Sequence, residues 1–573
     1  MTELLLPKQL TRVRFPSPAP KRPAGVFCLF SRVSLIEGLV MKSNRRTFLQ
    51  SASAIGLATL FGDNVMAAAQ SPERMNLAEA DAATLQAAMQ AGKATSVALV
   101  RAYLARIGAL DKSGPSINSI IELNPDAVAI ARERDRERKA GRVRGPLHGI
   151  PVLIKDNITT MDAMQTTAGS LALVGAKAPR DAFIVTRLRE AGAVIMGKTN
   201  LSEWANFRST RSTSGWSSRG GLTKNPYALD RNTSGSSSGS GAAMAASLAT
   251  LAVGTETDGS IVSPANANGI VGFKPTLGLV SRDGIVPIAH SQDTAGPMTR
   301  TVADAALLLT VLAATDTRDA ATKEASAKAV DYTKFLDRDG LKGKRIGVVK
   351  SQFGGRNDLA SAVIEKALDV LRAQGATLID VPELPNASKY GQSEYDVLLY
   401  EFKADMAAYL AEFAPNLPIK SLADIMAFNE KNRDRVLPHF AQEHMARAAA
   451  KGGLDEKVYL DALANNLKFS REEGIDKALL DNKLDALVAP SGSPAWLTDL
   501  IRGDNSGGGF SSAAAVAGYP HITVPAGFVS GLPCGISFVG TAWSEPKLIA
   551  MAYAYEQASR QRRAPEYLKS VNV

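Results

Sequence analysis

A segment rich in serine and glycine is the part of this sequence best suited to chemistry. Residues 233–243 read Thr-Ser-Gly-Ser-Ser-Ser-Gly-Ser-Gly-Ala-Ala, and residues 254–261 read Gly-Thr-Glu-Thr-Asp-Gly-Ser-Ile. Glycine and serine let a backbone turn sharply, approach a ligand closely and present N–H donors beside hydroxyl groups. A flexible linker shares this composition, but here an alanine-rich helical pattern and an apolar strand pattern follow. The segment therefore indicates a serine-based reactive site.

The order of the motifs resembles the amidase signature family, whose core reads G-G-S-S-G-G-S and then G-T-D-x-G-G-S-I. Residues 145–157, Gly-Pro-Leu-His-Gly-Ile-Pro-Val-Leu-Ile-Lys-Asp-Asn, match the lysine segment of that family. Further matches occur at 197–200, 272–276, 296–298, 524–527 and 531–533. The resemblance covers nearly all of residues 75–560. It implies an α/β fold, with a large twisted mixed β-sheet covered by helices on both faces.

The resemblance also implies a Ser-Ser-Lys triad that needs no cofactor and no metal. Lys155 corresponds to the lysine of the triad, Ser236 to a bridging serine in a cis peptide, and Ser260 to the nucleophile. The 24-residue interval between the two serines favours Ser236 over Ser237 or Ser238. Ser237 is expected to support the triad by hydrogen bonding.

The chemistry explains why the triad uses these residue types. A serine hydroxyl is a weak nucleophile until a base takes its proton, and a lysine is such a base only when its ammonium is destabilised by burial. The backbone N–H groups of Thr257, Asp258, Gly259 and Ser260 are expected to form an oxyanion hole. The predicted reaction is hydrolysis of an amide through an acyl-enzyme.

Several positions depart from the common family pattern. Ser234 and Ser238 stand where glycines are usual, Asp258 replaces a glycine of the oxyanion loop, and Val262 replaces a frequent arginine. The altered loop resembles the bacterial peptide amidases, which hydrolyse the C-terminal carboxamide of peptides, and residues 202–208 and 291–297 resemble them too.

A small peptide or amide is therefore the expected substrate, and Trp204 and Phe207 are predicted to line its pocket. An acyl or aryl amidase with non-peptide substrates remains an alternative. The amidase subunit of a tRNA-dependent amidotransferase and a non-catalytic binding protein on this fold are further alternatives.

A nucleophile elbow of the α/β-hydrolase type is a competing interpretation of the serine-rich segment. Residues 235–239 fit G-x-S-x-G with Ser237 as nucleophile, and Asp293 with a downstream histidine would complete a triad. The candidate histidines are His439, His444 and His521. The first two are five residues apart, which does not direct both to one metal from a helix.

Alternating strand and helix patterns predict how the chain is organised. Strands are expected at 150–154, 194–197, 251–254, 345–349, 486–490 and 522–525, and residues 395–480 are mostly helical in pattern. With 573 residues, 45% of them hydrophobic, the chain has ample material for a large core. Residues 70–573 are predicted to form the amidase signature domain.

The N-terminal residues resemble an export signal. Arg45 and Arg46 precede an apolar stretch and the small residues 67–69, so residues 41–69 are predicted to be a twin-arginine-type signal peptide. Residues 1–40 are predicted to be a mis-assigned upstream extension, with Met41 as the initiator. These features predict a periplasmic or secreted bacterial protein that is not inserted in the membrane after signal removal.

The charge distribution argues against nucleic acid as a partner. Of the formal net charge of +10, most comes from residues 1–69, which hold nine Lys or Arg and three Asp or Glu. The remainder shows no run of five like charges, whereas a nucleic-acid-binding domain carries a one-sided basic patch. A monomer or homodimer is the expected state.

Overall fold

Short apolar strands build the centre of the protein. The computed structural model describes residues 76–354 and 358–572. Within them the strands are β1 (Ile120–Leu123), β2 (Pro151–Lys155), β3 (Val194–Thr199), β4 (Trp216–Ser217), β5 (Gly221–Leu222), β6 (Leu251–Glu256), β7 (Val271–Lys274), β8 (Thr294–Thr299), β9 (Arg345–Val349), β10 (Thr377–Val381), β11 (Ala486–Pro490), β12 (His521–Val529) and β13 (Leu532–Val539).

Eleven of these strands form one mixed sheet in the order β1-β3-β2-β6-β8-β7-β12-β13-β11-β9-β10, while β4 and β5 pair separately. β2 is parallel to both β3 and β6, and β9 is parallel to both β10 and β11. Every residue of β2, β3 and β6 is buried. Because successive side chains point to opposite faces, both faces are covered here. The predicted α/β fold with a large mixed sheet is confirmed.

The helices lie around this sheet. Among the described residues they are α1 (Ala82–Gln90), α2 (Ser96–Arg106), α3 (Ala127–Lys139), α4 (Phe183–Glu190), α5 (Ser238–Ala245), α6 (Val262–Ala267), α7 (Val302–Leu312), α8 (Ala325–Lys328), α9 (Asp358–Ala373), α10 (Gly391–Phe413), α11 (Leu422–Lys431), α12 (Arg433–Val436), α13 (Glu443–Ala449), α14 (Lys457–Leu467), α15 (Asp476–Asp481), α16 (Ser512–Ala517) and α17 (Glu545–Ser559).

Side-chain caps mark the starts of the first two helices. The Asp81 carboxylate accepts the N–H of Thr84 at 2.7 Å before α1, and the Thr95 hydroxyl accepts the N–H of Ala98 at 3.1 Å before α2. Helix α2 ends at Arg106, and the chain continues as a π-helix from Ile107 to Lys112. Buried Asp111, within this turn, accepts hydrogen bonds from the chain entering β1.

Helices α10–α15 are the covering helices, which occupy the span predicted to be helical at about 395–480. Their apolar residues, including Phe402, Met406 and Leu410, form a core with Leu201 and Trp204 beside the main sheet. Burial of apolar surface, about 25 cal/mol per Å², holds such a layer in place. Within the described part of the chain, no helix is both long and apolar enough to cross a membrane.

Candidate active site

Lys155 is the last residue of β2, and its side chain has no exposed surface. Its Nζ lies 2.7 Å from Ser236 Oγ, 2.8 Å from Thr255 Oγ1 and 3.3 Å from the Thr255 carbonyl oxygen. Thr255 belongs to β6, the parallel neighbour of β2, so the sheet brings the lysine and the threonine together. The two Thr255 oxygens can accept both N–H groups of a neutral amine, which leaves the amine lone pair for the Ser236 hydroxyl.

The surroundings of Lys155 favour its neutral form. Burial lowers the pKa of Lys155 to about 7, against the opposing effect of the Asp293 and Glu256 carboxylates. An ammonium loses its hydration when it is buried, so the uncharged amine gains in relative stability. Near neutral pH, a large fraction of Lys155 can therefore accept a proton.

Ser236 lies in the loop before α5 and is fully buried. The peptide bond between Gly235 and Ser236 is cis, as the family resemblance predicts. The Ser236 carbonyl accepts the N–H of Ser202 at 3.1 Å. A Cβ on Gly235 would come within 2.3 Å of Ser202 Oγ and 3.0 Å of Ser214 Oγ, so a larger residue would displace this loop.

Ser260 ends a tight loop that follows β6, and it is 7% exposed. The Glu256 carboxylate closes the loop, because its Oε2 accepts the N–H of Ile261 at 2.7 Å and that of Val262 at 3.0 Å. Gly259 has a φ of +77°, in the left-handed region that glycine adopts without strain. The loop thus reverses the chain between the end of β6 and the start of α6.

Ser237 links the two serine-bearing segments. Its N–H donates to the Ser260 carbonyl at 3.1 Å, which places Ser260 next to the segment that carries Ser236. Its hydroxyl donates to the Thr255 carbonyl at 3.0 Å and accepts the Thr255 N–H at 3.2 Å. Among the described residues, no histidine is hydrogen-bonded to this hydroxyl, so the geometry does not support Ser237 as an elbow nucleophile.

The backbone N–H groups of loop 257–260 are available to a ligand. No described residue accepts a hydrogen bond from the N–H of Thr257, Asp258, Gly259 or Ser260. The Thr257 side chain is held in place, because its hydroxyl donates to Asp293 at 2.5 Å. Free, fixed N–H groups beside a serine hydroxyl are the arrangement that stabilises a developing oxyanion.

The Asp258 carboxyl is directed towards α16 and α10. Its Oδ2 accepts the Ser512 hydroxyl at 2.6 Å, and its buried Oδ1 has no hydrogen-bond donor among the described residues. On α10, the Glu394 carboxyl contacts that of Asp258. The side chain that replaces the usual glycine is therefore engaged with the covering helices.

A small cavity of about 230 Å³ borders the loop. Gly235, Asp258 and Gly259 form one side of it, and its other lining residues include Asn206, Trp496 and Asp504. Its size suits a compact group, such as a carboxamide with part of one residue.

Trp204 and Phe207 do not line this cavity. Trp204 is 2% exposed and Phe207 8% exposed, and both belong to the apolar core under the covering helices. The Phe207 ring stacks on His444 at 4.8 Å and meets Phe402 edge-on at 5.3 Å. These contacts assign packing roles to both aromatic residues, because large apolar surfaces here are covered by α10 and α13.

The histidines have structural partners. His444 Nδ1 lies 2.8 Å from the Tyr395 hydroxyl, and the His439 ring packs edge-on against Trp216 at 5.2 Å. One group among the described residues, His290 with Glu401 and Asp405, has a spacing that fits a metal ion. Its members already pair, since His290 Nδ1 lies 2.9 Å from Asp405.

Three contributors to the site were not identified from the sequence. Thr255 anchors Lys155, and Asn157 Nδ2 donates to Thr255 Oγ1 at 2.9 Å. Both residues lie inside the motifs that match the family, close in sequence to the triad. Their polar side chains could therefore have identified them as part of the site. Glu394 lies in an ordinary helical pattern, where nothing distinguishes it from a solvated acid.

Comparison with known proteins identifies the class of the protein. The family model described as "Amidase" matches residues 98–549. The chain therefore belongs to the amidase signature family, and it is an amide-hydrolysing enzyme.

Individual relatives give finer similarity. The crystal structure of peptide amidase from Stenotrophomonas maltophilia is 54% identical, with a TM-score of 0.81, and the match covers 86% of this chain and 99% of that one. A probable amidase of Arabidopsis thaliana is 43% identical, over 86% of this chain and 92% of its own length. A putative amidase of Arthroderma benhamiae is 40% identical, over 84% and 82%.

The predicted localisation is wrong. The curated plant and fungal amidases conflict with the expectation of a bacterial protein exported to the periplasm by a twin-arginine signal. That expectation depended on two arginines and a short apolar run. So short a pattern occurs readily by chance, because its residue types are not restricted by packing in a core. The predicted leader segments, residues 1–69, lie outside the described residues.

Proposed function

We propose that this enzyme hydrolyses the C-terminal carboxamide of peptides, with Ser260 as nucleophile, Ser236 as proton relay and Lys155 as base. The observation that carries the proposal is the 2.7 Å contact between Lys155 Nζ and Ser236 Oγ in a fully buried site. The 54% identity to a peptide amidase supports the choice of substrate.

In the acylation step, Ser260 Oγ attacks the carboxamide carbon and its proton passes through the Ser236 hydroxyl to neutral Lys155. The N–H groups of loop 257–260, hereafter the oxyanion loop, bind the negative oxygen of the tetrahedral intermediate. Loss of one such donor typically lowers the rate by ~10²–10³.

The same residues then transfer the proton in the opposite direction. Lys155 returns its proton through Ser236 to the leaving nitrogen, so ammonia departs and an ester to Ser260 remains. Water attacks this acyl-enzyme while Lys155 again accepts a proton through Ser236. The ester bond to Ser260 then breaks, and Lys155 returns the proton through Ser236 to Ser260 Oγ. The peptide acid leaves, and all three residues regain their starting states.

The cavity beside the oxyanion loop supports selectivity for a terminal NH₂ group. A volume of about 230 Å³ accommodates a carboxamide. A site closed beyond the scissile nitrogen rejects internal peptide bonds by steric clash.

The test compares kcat/KM for an N-blocked dipeptide amide, a short aliphatic amide and a long-chain acyl amide on one preparation. We expect the peptide amide to be preferred by at least about tenfold, a difference of about 1.4 kcal/mol, and mass spectrometry to find its internal bond intact. Ser260→Ala is the matched blank for contaminating activity. Equal or faster cleavage of either non-peptide amide would overturn the substrate assignment.

A further inference from the structure

A pair of carboxyl groups joins the oxyanion loop to the covering helices. Glu394, in the first turn of α10, is 9% exposed, and its carboxyl lies close enough to that of Asp258 to interact with it. Two carboxylates in contact repel each other strongly, and a shared proton converts this repulsion into a hydrogen bond. The two carboxyl groups can therefore stay close together at low cost when they hold one proton between them.

The hydrogen bonds around the pair leave one oxygen of each group for the other. Glu394 Oε1 accepts Gln292 Nε2 at 3.0 Å, and Asp258 Oδ2 accepts the Ser512 hydroxyl at 2.6 Å. Asp258 Oδ1 is buried, and no group in the described part of the chain is recorded as its donor. A proton on the second Glu394 oxygen would satisfy it, and buried polar atoms are rarely left unsatisfied.

Glu394 reaches the oxyanion loop by a second route. The same Gln292 amide lies 3.4 Å from the Thr257 carbonyl oxygen, and Gln292 is itself 2% exposed. Both ends of the Thr257–Asp258 segment are thus tied to one side chain of α10. A shift of Glu394 would change the direction of the loop's N–H groups.

We propose that Asp258 and Glu394 share one proton, and that this hydrogen bond positions the oxyanion loop for catalysis. The inference rests on the proposed function, since it assumes that the loop binds the oxyanion. Glu394 is a positioning residue, because it contacts the loop and not the reacting atoms.

Burial and neighbouring negative charges make proton loss from the pair costly, and one nearby cation opposes them. Burial, then the Asp258 charge, raises the pKa of Glu394 to about 8. Tyr390, at the start of α10, has its pKa raised by burial and by the same two acids. Lys274 on β7 is the cation that interacts with Asp258, and Glu256 on β6 adds a further negative charge.

Activity should therefore fall on the alkaline side as the shared proton is lost. The test is the pH dependence of kcat between pH 6 and 10 for the N-blocked dipeptide amide. At pH 9, one unit above a pKa of about 8, wild-type kcat should fall to about one tenth of its maximum. Glu394→Gln should lack this alkaline decline, because its amide N–H donates to Asp258 without titrating.

The controls separate positioning from general stability. Asp396→Asn removes another carboxylate of α10, one that pairs with Lys451 at 2.8 Å. This variant should keep the wild-type pH profile. Glu394→Ala should lower kcat more than it changes KM. If Glu394→Gln does not fold, Asp258→Asn offers the reciprocal donor and should abolish the same decline.

An unchanged alkaline decline in folded Glu394→Gln would overturn the inference. Failure of the proposed function gives a different result, because a non-peptide amide would then be cleaved as fast as the dipeptide amide, or Ser260→Ala would retain turnover in the same assay. An inactive Ser260→Ala with an unaltered Glu394→Gln profile would reject the shared proton alone.

Discussion

Two buried ionisable groups come from different elements to the chain around loop 257–260, Lys155 to Thr255 just before the loop and Glu394 to Asp258 within it. Lys155 comes from the end of a central strand, and its pKa is lowered to about 7. Glu394 comes from a covering helix, and its pKa is raised to about 8. The main cause is the same for both, because burial disfavours a charge of either sign. The comparison teaches that one dry site can keep a base and an acid neutral together.

Lys155 and Glu394 are both proposed to serve one nucleophile, Ser260. The variant Ser260→Ala tests this assignment and has the largest expected effect. Loss of the nucleophile should lower kcat by about 10⁴-fold or more. Ser236→Ala and Lys155→Ala should also cripple turnover, and adding either to Ser260→Ala should cause little further loss. Steady-state kinetics with circular dichroism as a check of folding would measure this.

A matched control is Ser544→Ala, which removes a hydroxyl bonded to the Thr541 carbonyl at the start of α17. It should leave kcat unchanged. Near-wild-type turnover in folded Ser260→Ala would exclude Ser260 as the nucleophile.

The acid side of the pH profile isolates the Lys155 half of the comparison. The neutral amine is the active form, so kcat should rise about tenfold per pH unit below a pKa of about 7 and then level off. A chelator should leave turnover intact, because the proposed steps use no metal. Activity that is flat from pH 5 to 7, or that EDTA abolishes and zinc restores, would contradict a lysine base.

Ser237→Ala probes the link between the two serine segments and should have a smaller effect. It removes the two hydrogen bonds between the hydroxyl and the Thr255 backbone. An unsatisfied buried group costs about 1–3 kcal/mol, so we expect lower thermal stability and a kcat reduced by roughly tenfold or less. A loss as large as that of Ser260→Ala would instead favour Ser237 as the nucleophile.

The raised pKa of Glu394 also predicts how the stability of the folded protein depends on pH. This is the smallest of the expected effects. Its folded pKa of about 8 lies above its ordinary value of 4.5, so the folded state binds more protons between these values. The contribution of Glu394 to stability is therefore retained below about pH 4.5 and declines as pH rises to about 8. From pH 6 to 9, the apparent Tm of wild type should fall about 1–3 °C more than that of Glu394→Gln. Parallel curves would argue against a raised pKa.

Local patterns predicted much of the fold. Strands β2, β3, β6, β9 and β11 lie where short apolar runs were expected, because strands buried on both faces need uninterrupted apolar residues. The π-helical turn after α2 was not predicted, since Asp111 forms hydrogen bonds there with residues that reach it only after folding.

The sequence by itself determined the family, the likeness to peptide amidases, and the segments that carry Lys155, Ser236 and Ser260. These features are contiguous motifs, whose residue types are dictated by backbone turns and by the chemistry of the triad. Lys155 and Ser260 come together because β2, which ends at Lys155, is parallel to β6, which precedes Ser260. The hydrogen bond from the Ser237 N–H to the Ser260 carbonyl brings the Ser236 segment to the same place.

Tertiary structure alone decided which side chains complete the site. Asp258 meets Glu394 across 136 positions of sequence, and Trp204 and Phe207 pack under α10 instead of lining the cavity. A carboxyl on an amphipathic helix, or an aromatic ring in a loop, has the same local sequence pattern whether it lies in the site, in the core or at the surface. Only the packing of the covering helices on the sheet fixes the partner of each, and with it the solvation that sets the pKa of the acid.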